Sequence, residues 1–346
     1  MKAAVLYKDN THLEIEERTI RDVGPGEVKV RVECCGVCGS DVHITVHKIM
    51  SLDEYPRIPG HEASGVVATV GEGVSQFTPG QRVVIAAGYS CGDCRYCNSQ
   101  KENGCATAAV FGFQRDGAYA EEVIVPERCL VPLPEGVPFD QGAIMADAVS
   151  TPYHALKYAG RMIPGDVVAV FGCGGLGIHA VLLAKVLGAG RVVALDVDPG
   201  ALENALAMGA DEVLNVSELK HVGKTLKEKT GGCDVVLDFS GHYANVEQSL
   251  RAMNTMGRIV MVGIGRGQIN IVLPLQIVTR QISILGSYGS DSRALPELIQ
   301  LYLDGRLDLS RSISSHHPLA EVNDCLENLH MRRGNPIRYI IQPGRS

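Results

Sequence analysis

The stretch Val167-Val168-Ala169-Val170-Phe171-Gly172-Cys173-Gly174-Gly175-Leu176-Gly177 constrains this chain more than any other. Five apolar residues without alternation read as a strand buried on both faces. They run straight into a Gly-x-Gly-x-x-Gly turn, and the apolar stretch Ile178–Leu187 behind it reads as a helix stopped at Gly188. Further strands are expected at Arg191–Asp196, Glu212–Asn215, Val235–Asp238, Arg258–Gly263 and Ile282–Gly286, with helical periodicity between most of them. Strands alternating with helices make an α/β fold with a parallel, doubly wound sheet. In the turn, Gly172 permits the reversal, Gly174 lets the backbone approach a pyrophosphate and Gly177 lets helix pack on strand, while Gly175 and Leu176 lead into the helix. The N–H groups at the helix start then face the phosphates.

Asp196 ends the next strand, nineteen residues beyond Gly177. A carboxylate there accepts hydrogen bonds from the adenosine ribose hydroxyls and repels a 2′-phosphate. Neither Val197 nor Asp198 supplies a cation for that phosphate, so NAD is favoured over NADP. The plainer alternative is a Gly-rich structural turn with Asp196 as a turn residue.

The first 150 residues have a different texture. Glu27-Val28-Lys29-Val30-Arg31-Val32-Glu33 alternates strictly and predicts a half-buried strand. Gly65–Val70 and Gln81–Ile85 are further strands, so this half is β-rich. Beyond the second half come helical patterns at Leu295–Leu303 and Leu319–Leu329 and a last strand at Ile337–Ile341. A net charge of −7 tells against nucleic acid or an anionic membrane as partner. No apolar run approaches the roughly 20 residues of a membrane span. Met1–Tyr7 reads as a strand and lacks the features of a cleaved leader, so a cytoplasmic protein is expected.

Cysteines are numerous, 11 in all, and Cys91, Cys94, Cys97 and Cys105 form C-x2-C-x2-C-x7-C in a polar segment. Four thiolates in one loop can close a tetrahedral zinc site with no open position, which makes it structural. An iron–sulfur cluster would accept the same ligand type, and four free thiols are the bland alternative. Three other short segments carry metal-competent groups: Cys38-Gly39-Ser40-Asp41-Val42-His43, Gly60-His61-Glu62, and Asp147. Each alone is ordinary, and spacing does not join them. Cys34, Cys35, Cys129, Cys173, Cys233 and Cys325 read as small buried hydrophobes.

Taken together, G-V-C-G-S-D, G-H-E, the four-Cys lobe and the G-x-G-x-x-G turn resemble the zinc-containing medium-chain alcohol dehydrogenases, in that family's order and spacing along the whole chain. The resemblance implies a GroES-like β-rich catalytic domain, 1–148 and 288–346 with a zinc lobe at 89–106, interrupted by a Rossmann domain at 149–287. It makes Cys38, His61 and Asp147 the catalytic zinc ligands and Glu62 a carboxylate that approaches the metal during ligand exchange. Asp41 would orient His61. Ser40 and His43 would carry a proton from the substrate to solvent, Thr151 would contact nicotinamide, and Arg338 the pyrophosphate. The third ligand position often holds Cys in the family and holds Asp147 here.

The implied enzyme binds NAD and two zinc ions per chain and interconverts a small alcohol, secondary or cyclic by preference, with its carbonyl. Polyol and amino-alcohol dehydrogenases of the sorbitol and threonine types share the G-S/T-D-x-H stretch and form the main alternative. A zinc-free reductase or a non-catalytic relative is the remote one. The pocket-lining stretch is expected at Ile44–Arg57. Family members pair through sheet edges, so a homodimer or homotetramer is expected, with Ile282–Gly286 and its neighbour Ile269–Leu273 as the candidate edge.

Overall fold

The computed structural model describes residues 1–48, 52–271 and 274–345, and the chain forms two compact units. Met1–Ser150 and Ser290–Ser346 make the first, Thr151–Gly289 the second. Of the stretches singled out above, Ile49–Ser51 within the expected pocket lining and Val272–Leu273 within the expected edge lie outside the described residues.

The first unit opens with β1 (Lys2–Val5) paired antiparallel to β2 (Glu14–Glu17). The long strand β3 (Glu27–Gly36) pairs antiparallel with β4 (Glu62–Val70), which pairs with β5 (Arg82–Ile85). Alternation buries Val28, Val30 and Val32, as a half-solvated strand should. From Cys34 to Gly36 both faces are buried, because this end of β3 enters the interior beside Glu62. The short antiparallel pair β6 (Gly88–Tyr89) and β7 (Ala109–Val110) closes the neck of the cysteine-bearing loop. β8 (Glu122–Pro126) pairs with β3, and β9 (Leu130–Pro132) with β5.

The second unit holds β10 (Val167–Phe171), β11 (Arg191–Asp196), β12 (Glu212–Asn215), β13 (Cys233–Asp238), β14 (Met253–Met261) and β15 (Ser283–Gly286). Every pairing is parallel and the spatial order is β12-β11-β10-β13-β14-β15. The order reverses direction at β10, so its C-terminal end is the switch point where α/β sheets bind ligands. Ala169, Phe171, Val193, Leu195, Val236 and Ile259 join one buried core. The strand expected at Arg258–Gly263 begins five residues earlier, and Val262 and Gly263 instead turn back to donate to the Asp238 carbonyl.

The chain then returns to the first unit. β16 (Ser315–Pro318) and β17 (Tyr339–Gln342) extend its sheet to the order β16-β17-β3-β4-β5-β9. The last strand starts two residues later than its apolar pattern suggests, because Arg338 turns into the interior.

Candidate metal centres and cofactor turn

Three elements of the first unit deliver one set of ligand groups. β3 ends at Gly36, and Cys38 caps the helix Gly39–Thr45 that follows. His61 and Glu62 stand at the start of β4. Asp147 lies in a π-helical turn, Met145–Val149, that widens the helix beginning at Phe139; such turns recur at functional sites. The candidate ligand atoms of Cys38, His61, Glu62 and Asp147 all lie within 4.8 Å of one another. Asp147 Oδ2 is 3.7 Å from Cys38 Sγ and 3.6 Å from His61 Nε2. A tetrahedral zinc ion would set these edges at about 3.5 and 3.3 Å, so small adjustments bring thiolate, imidazole and carboxylate onto one ion.

Behind the ligands stands a buried support. Asp41, fully buried, points Oδ1 at His61 Nδ1, 3.4 Å away. Its Oδ2 accepts from the Cys38 backbone N–H at 3.0 Å and from the Tyr119 hydroxyl at 2.7 Å. Tyr119 comes this close because Gly60 has φ +95° and no side chain: a Cβ there would meet the Tyr119 ring at 2.8 Å. Burial works against charge on His61, but Asp41 and the hydrogen bonds to Asp147 and Asp41 outweigh it and raise its pKa well above the usual histidine range. The carboxylates that favour a proton on His61 equally favour a divalent cation, so the two compete.

Glu62 is fully buried and neither carboxylate oxygen has a hydrogen-bond partner; its nearest cation is Arg338, with Nε 3.4 Å from Oε2. Burial raises Glu62 to about 7 against the pull of Arg338. A buried carboxylate with bare oxygens beside three ligands suits a metal ion. Arg338, expected above to reach the pyrophosphate, is 1% exposed, donates to the Val37 carbonyl at 3.0 Å and lies beside Glu62. Ser40 lies at the rim, its Oγ 3.6 Å from Cys38 Sγ, and His43 is one turn further along the same helix and half-buried.

The four cysteines of the lobe also converge. Cys91 and Cys97 sulfurs are 3.8 Å apart, Cys94 and Cys97 3.5 Å, Cys105 and Cys91 3.6 Å. A zinc tetrahedron with Zn–S of about 2.3 Å has S···S edges of about 3.8 Å, so the loop is already folded to the size of the ion. The Cys91 backbone N–H and the Thr107 hydroxyl lower Cys105 to about 6, whereas the hydrogen bond with Asp93 raises Cys91 to about 12.

In the second unit, the turn after β10 is crowded on the protein side and open on the other. A Cβ on Gly177 would meet the Gly172 carbonyl at 1.8 Å, whereas one on Gly174 would meet nothing within 4 Å. Gly172 has φ +83°. That is the shape of a backbone cradle left free for a phosphate. Asp196 Oδ2 accepts from the Cys173 N–H at 2.6 Å, tying the turn to the end of β11, and Oδ1 accepts from Val197 and Asp198 N–H. Thr151, buried, begins this unit. Leu176 caps the helix Gly177–Val186.

Tyr119, His47 and His330 were not anticipated. Tyr119 sits in an apolar stretch like any core aromatic, but His47 is spaced four residues from His43, a pattern that places two rings on one face.

The family model described as alcohol dehydrogenase GroES-like domain matches residues 24–135, and that described as zinc-binding dehydrogenase matches residues 175–304. The chain is 35% identical over 332 residues to an alcohol dehydrogenase of Geobacillus stearothermophilus, covering 95% of this chain and 96% of that one. It is 27% identical over 352 residues to a sorbitol dehydrogenase of Bacillus subtilis (strain 168), covering 100% and 98%. The crystal structure of an NAD-dependent alcohol dehydrogenase matches with a TM-score of 0.88 at 30% identity, covering 99% of this chain and 100% of that one.

Proposed function

Since the chain belongs to the zinc-containing medium-chain dehydrogenase family, we propose that it oxidises a simple secondary or cyclic alcohol to the ketone, and the reverse, with NAD. It is a zinc-dependent, NAD-linked alcohol dehydrogenase acting on small molecules. The observation that carries the reading is the convergence of Cys38, His61 and Asp147 around one metal-sized point in the first unit, with Glu62 behind them.

When bound, zinc supplies a Lewis acid that makes the alcohol more acidic and NAD supplies a hydride acceptor at its nicotinamide. The chain's own residues do the rest. Cys38, His61 and Asp147 hold the ion, and Asp41, braced by Tyr119 and the Cys38 N–H, fixes the His61 ring. Arg338 keeps the buried Glu62 carboxylate available for ligand exchange. Ser40 takes the hydroxyl proton and His43 removes it. Gly172–Gly177 and Asp196 hold the dinucleotide, and Thr151 its nicotinamide. The Cys91, Cys94, Cys97 and Cys105 lobe holds a second, structural zinc.

Polyol and amino-alcohol substrates form the second reading, favoured by the likeness to a sorbitol dehydrogenase. NAD reduction across primary, secondary, cyclic and polyhydroxy alcohols separates the two: a higher kcat/KM for polyols than for simple secondary alcohols overturns the first. Among the described residues no helix is long and apolar enough to cross a membrane, and a cytoplasmic location is part of this proposal. So is a homodimer or homotetramer. In the second unit, Ile271, Leu275 and Val278 are 44%, 72% and 74% exposed, ahead of the outermost strand β15. An apolar surface beside a strand edge is covered in most soluble proteins, and a second copy of this chain is the proposed cover.

A further inference from the structure

The helix Gly39–Thr45 carries His43, and the chain leaving it carries His47 one turn on. Their Nδ1 atoms are 3.1 Å apart and their ring centroids 5.3 Å. His47 uses its other nitrogen as well: Nε2 lies 2.9 Å from Nδ1 of His330, the rings edge to face with centroids 4.7 Å apart. His330 is the last residue of the helix Val322–His330, which packs on the helix Gly39–Thr45 within the same unit. His43 is half-buried, while His47 and His330 are exposed.

Three imidazoles invite comparison with a metal site, but a chelated ion needs one nitrogen of each ring facing a common centre. Here the middle ring turns its two nitrogens to two different neighbours, and the three rings form a row. Neutral imidazole has one donor and one acceptor nitrogen, so such a row can take a proton at one end and release another at the far end. We infer that His47 and His330 extend the proton path beyond His43, forming a three-imidazole conduit that delivers the alcohol's proton to bulk solvent.

The conduit rests on His43 as the residue that receives the substrate proton. In alcohol oxidation His43 starts with its proton on Nδ1, directed at Nδ1 of His47, and each later ring carries its proton on Nε2. A proton arriving at His43 Nε2 forms a new N–H bond there. The Nδ1–H bond of His43 breaks as His47 Nδ1 takes that proton, His47 Nε2 passes its own to His330 Nδ1, and His330 Nε2 releases one to water. One proton enters and one leaves, and reversal of the row supplies a proton for carbonyl reduction. The direction has physical support at the inner end. Burial and the neighbouring His47 lower the proton affinity of His43. At the far end His330 is exposed, so the proton it releases passes directly to water.

The test is proton release during a single turnover of alcohol oxidation, followed with a pH indicator in weakly buffered solution on the zinc-loaded enzyme. His47→Gln and His330→Gln keep hydrogen-bonding capacity but cannot pass a proton between two ring nitrogens. Each is expected to slow release about tenfold, with added imidazole restoring it and zinc content unchanged. Normal release in both variants, with His43→Gln slowed, overturns the conduit and leaves His43 as the proton acceptor. Normal release in His43→Gln as well removes that acceptor role and the conduit with it. Slowing that imidazole does not relieve assigns His47 and His330 to structure alone and also overturns the inference.

Discussion

Asp196 does two jobs with one carboxylate. It ties the Gly-rich turn to the end of β11 through the Cys173 N–H, and in the proposed cofactor site its charge opposes a 2′-phosphate. Juxtaposed like charges cost several kcal/mol, so Asp196→Ser with Val197→Arg is expected to shift the NADP-to-NAD ratio of kcat/KM about a hundredfold towards NADP. Val197 is 55% exposed and leaves room for the longer side chain. Equal use of both cofactors by the unmodified enzyme would sink the argument. His43 is the second residue whose environment makes a prediction. Burial first, and His47 next, hold its pKa below the ordinary histidine value, so the neutral form that accepts a proton persists into mildly acid solution. At high pH hydroxide can take the proton without help. His43→Gln is therefore expected to slow alcohol oxidation most between the lowered pKa and neutrality, and least at alkaline pH, with zinc retained. Zinc loss in the variant would make His43 a ligand instead. At this scale the sequence was legible in uneven measure. The four lobe cysteines lie in one loop, so spacing alone suggested a single ion. Cys38, His61 and Asp147 lie on three elements, and only likeness to a family joined them before the fold did. Tyr119 carries no sequence mark at all: its link to Asp41 depends on the open backbone at Gly60.

The glycine turn between β10 and the helix Gly177–Val186 shows how an element divides stability from binding. Gly177 faces the Gly172 carbonyl so closely that any Cβ must displace backbone, while Gly174 faces open space. Gly177→Ala is expected to lower stability by about 1–3 kcal/mol, seen as a lower Tm. Gly174→Ala is expected to leave Tm within a degree or so of the parent, since exposed-site changes stay near ±0.5 kcal/mol, yet to weaken NADH binding about tenfold or more. A variant pair with the opposite pattern would show that the phosphates lie elsewhere. β10 and β11 were readable to the residue because strands buried on both faces leave uninterrupted apolar runs. β14 was not: its first half, Met253–Gly257, contains Asn254 and Thr255, and its pairing with β13 is broken by a register shift between Cys233 and Val235. β17 was misplaced for a related reason. Arg338 continues the apolar pattern only as a charge buried against Glu62, which no hydropathy rule foresees.

At the scale of the whole molecule, the proposed self-association and the two metal sites each make a prediction. Leu275→Glu with Val278→Glu places charge on the most exposed large apolar side chains among the described residues of the second unit and is expected to yield monomers by light scattering where the parent is a dimer or tetramer. A strictly monomeric parent at working concentration would remove the proposed cover. The two metal centres differ in ligand set and in access, and a chelator should separate them. The lobe offers four thiolates and no open position, so its ion can leave only if the loop Cys91–Cys105 opens. The other centre offers one thiolate, one imidazole and one carboxylate, with Asp147 in the place where relatives often carry Cys. Carboxylate is the harder, less donating ligand, so this ion should be held less tightly. Chelator is therefore expected to remove one zinc per chain quickly with loss of activity, and the second only as the chain unfolds. Zinc or cobalt added after the fast phase should restore activity. Asp147→Cys should slow that phase, and Tyr119→Phe, which takes one of two donors from the Asp41 oxygen Oδ2, should hasten it about tenfold or more, as loss of outer support does at other zinc sites. Release of both ions together at one rate would mean that the lobe is no tighter than the catalytic centre, and the division into a closed and an open site would fall.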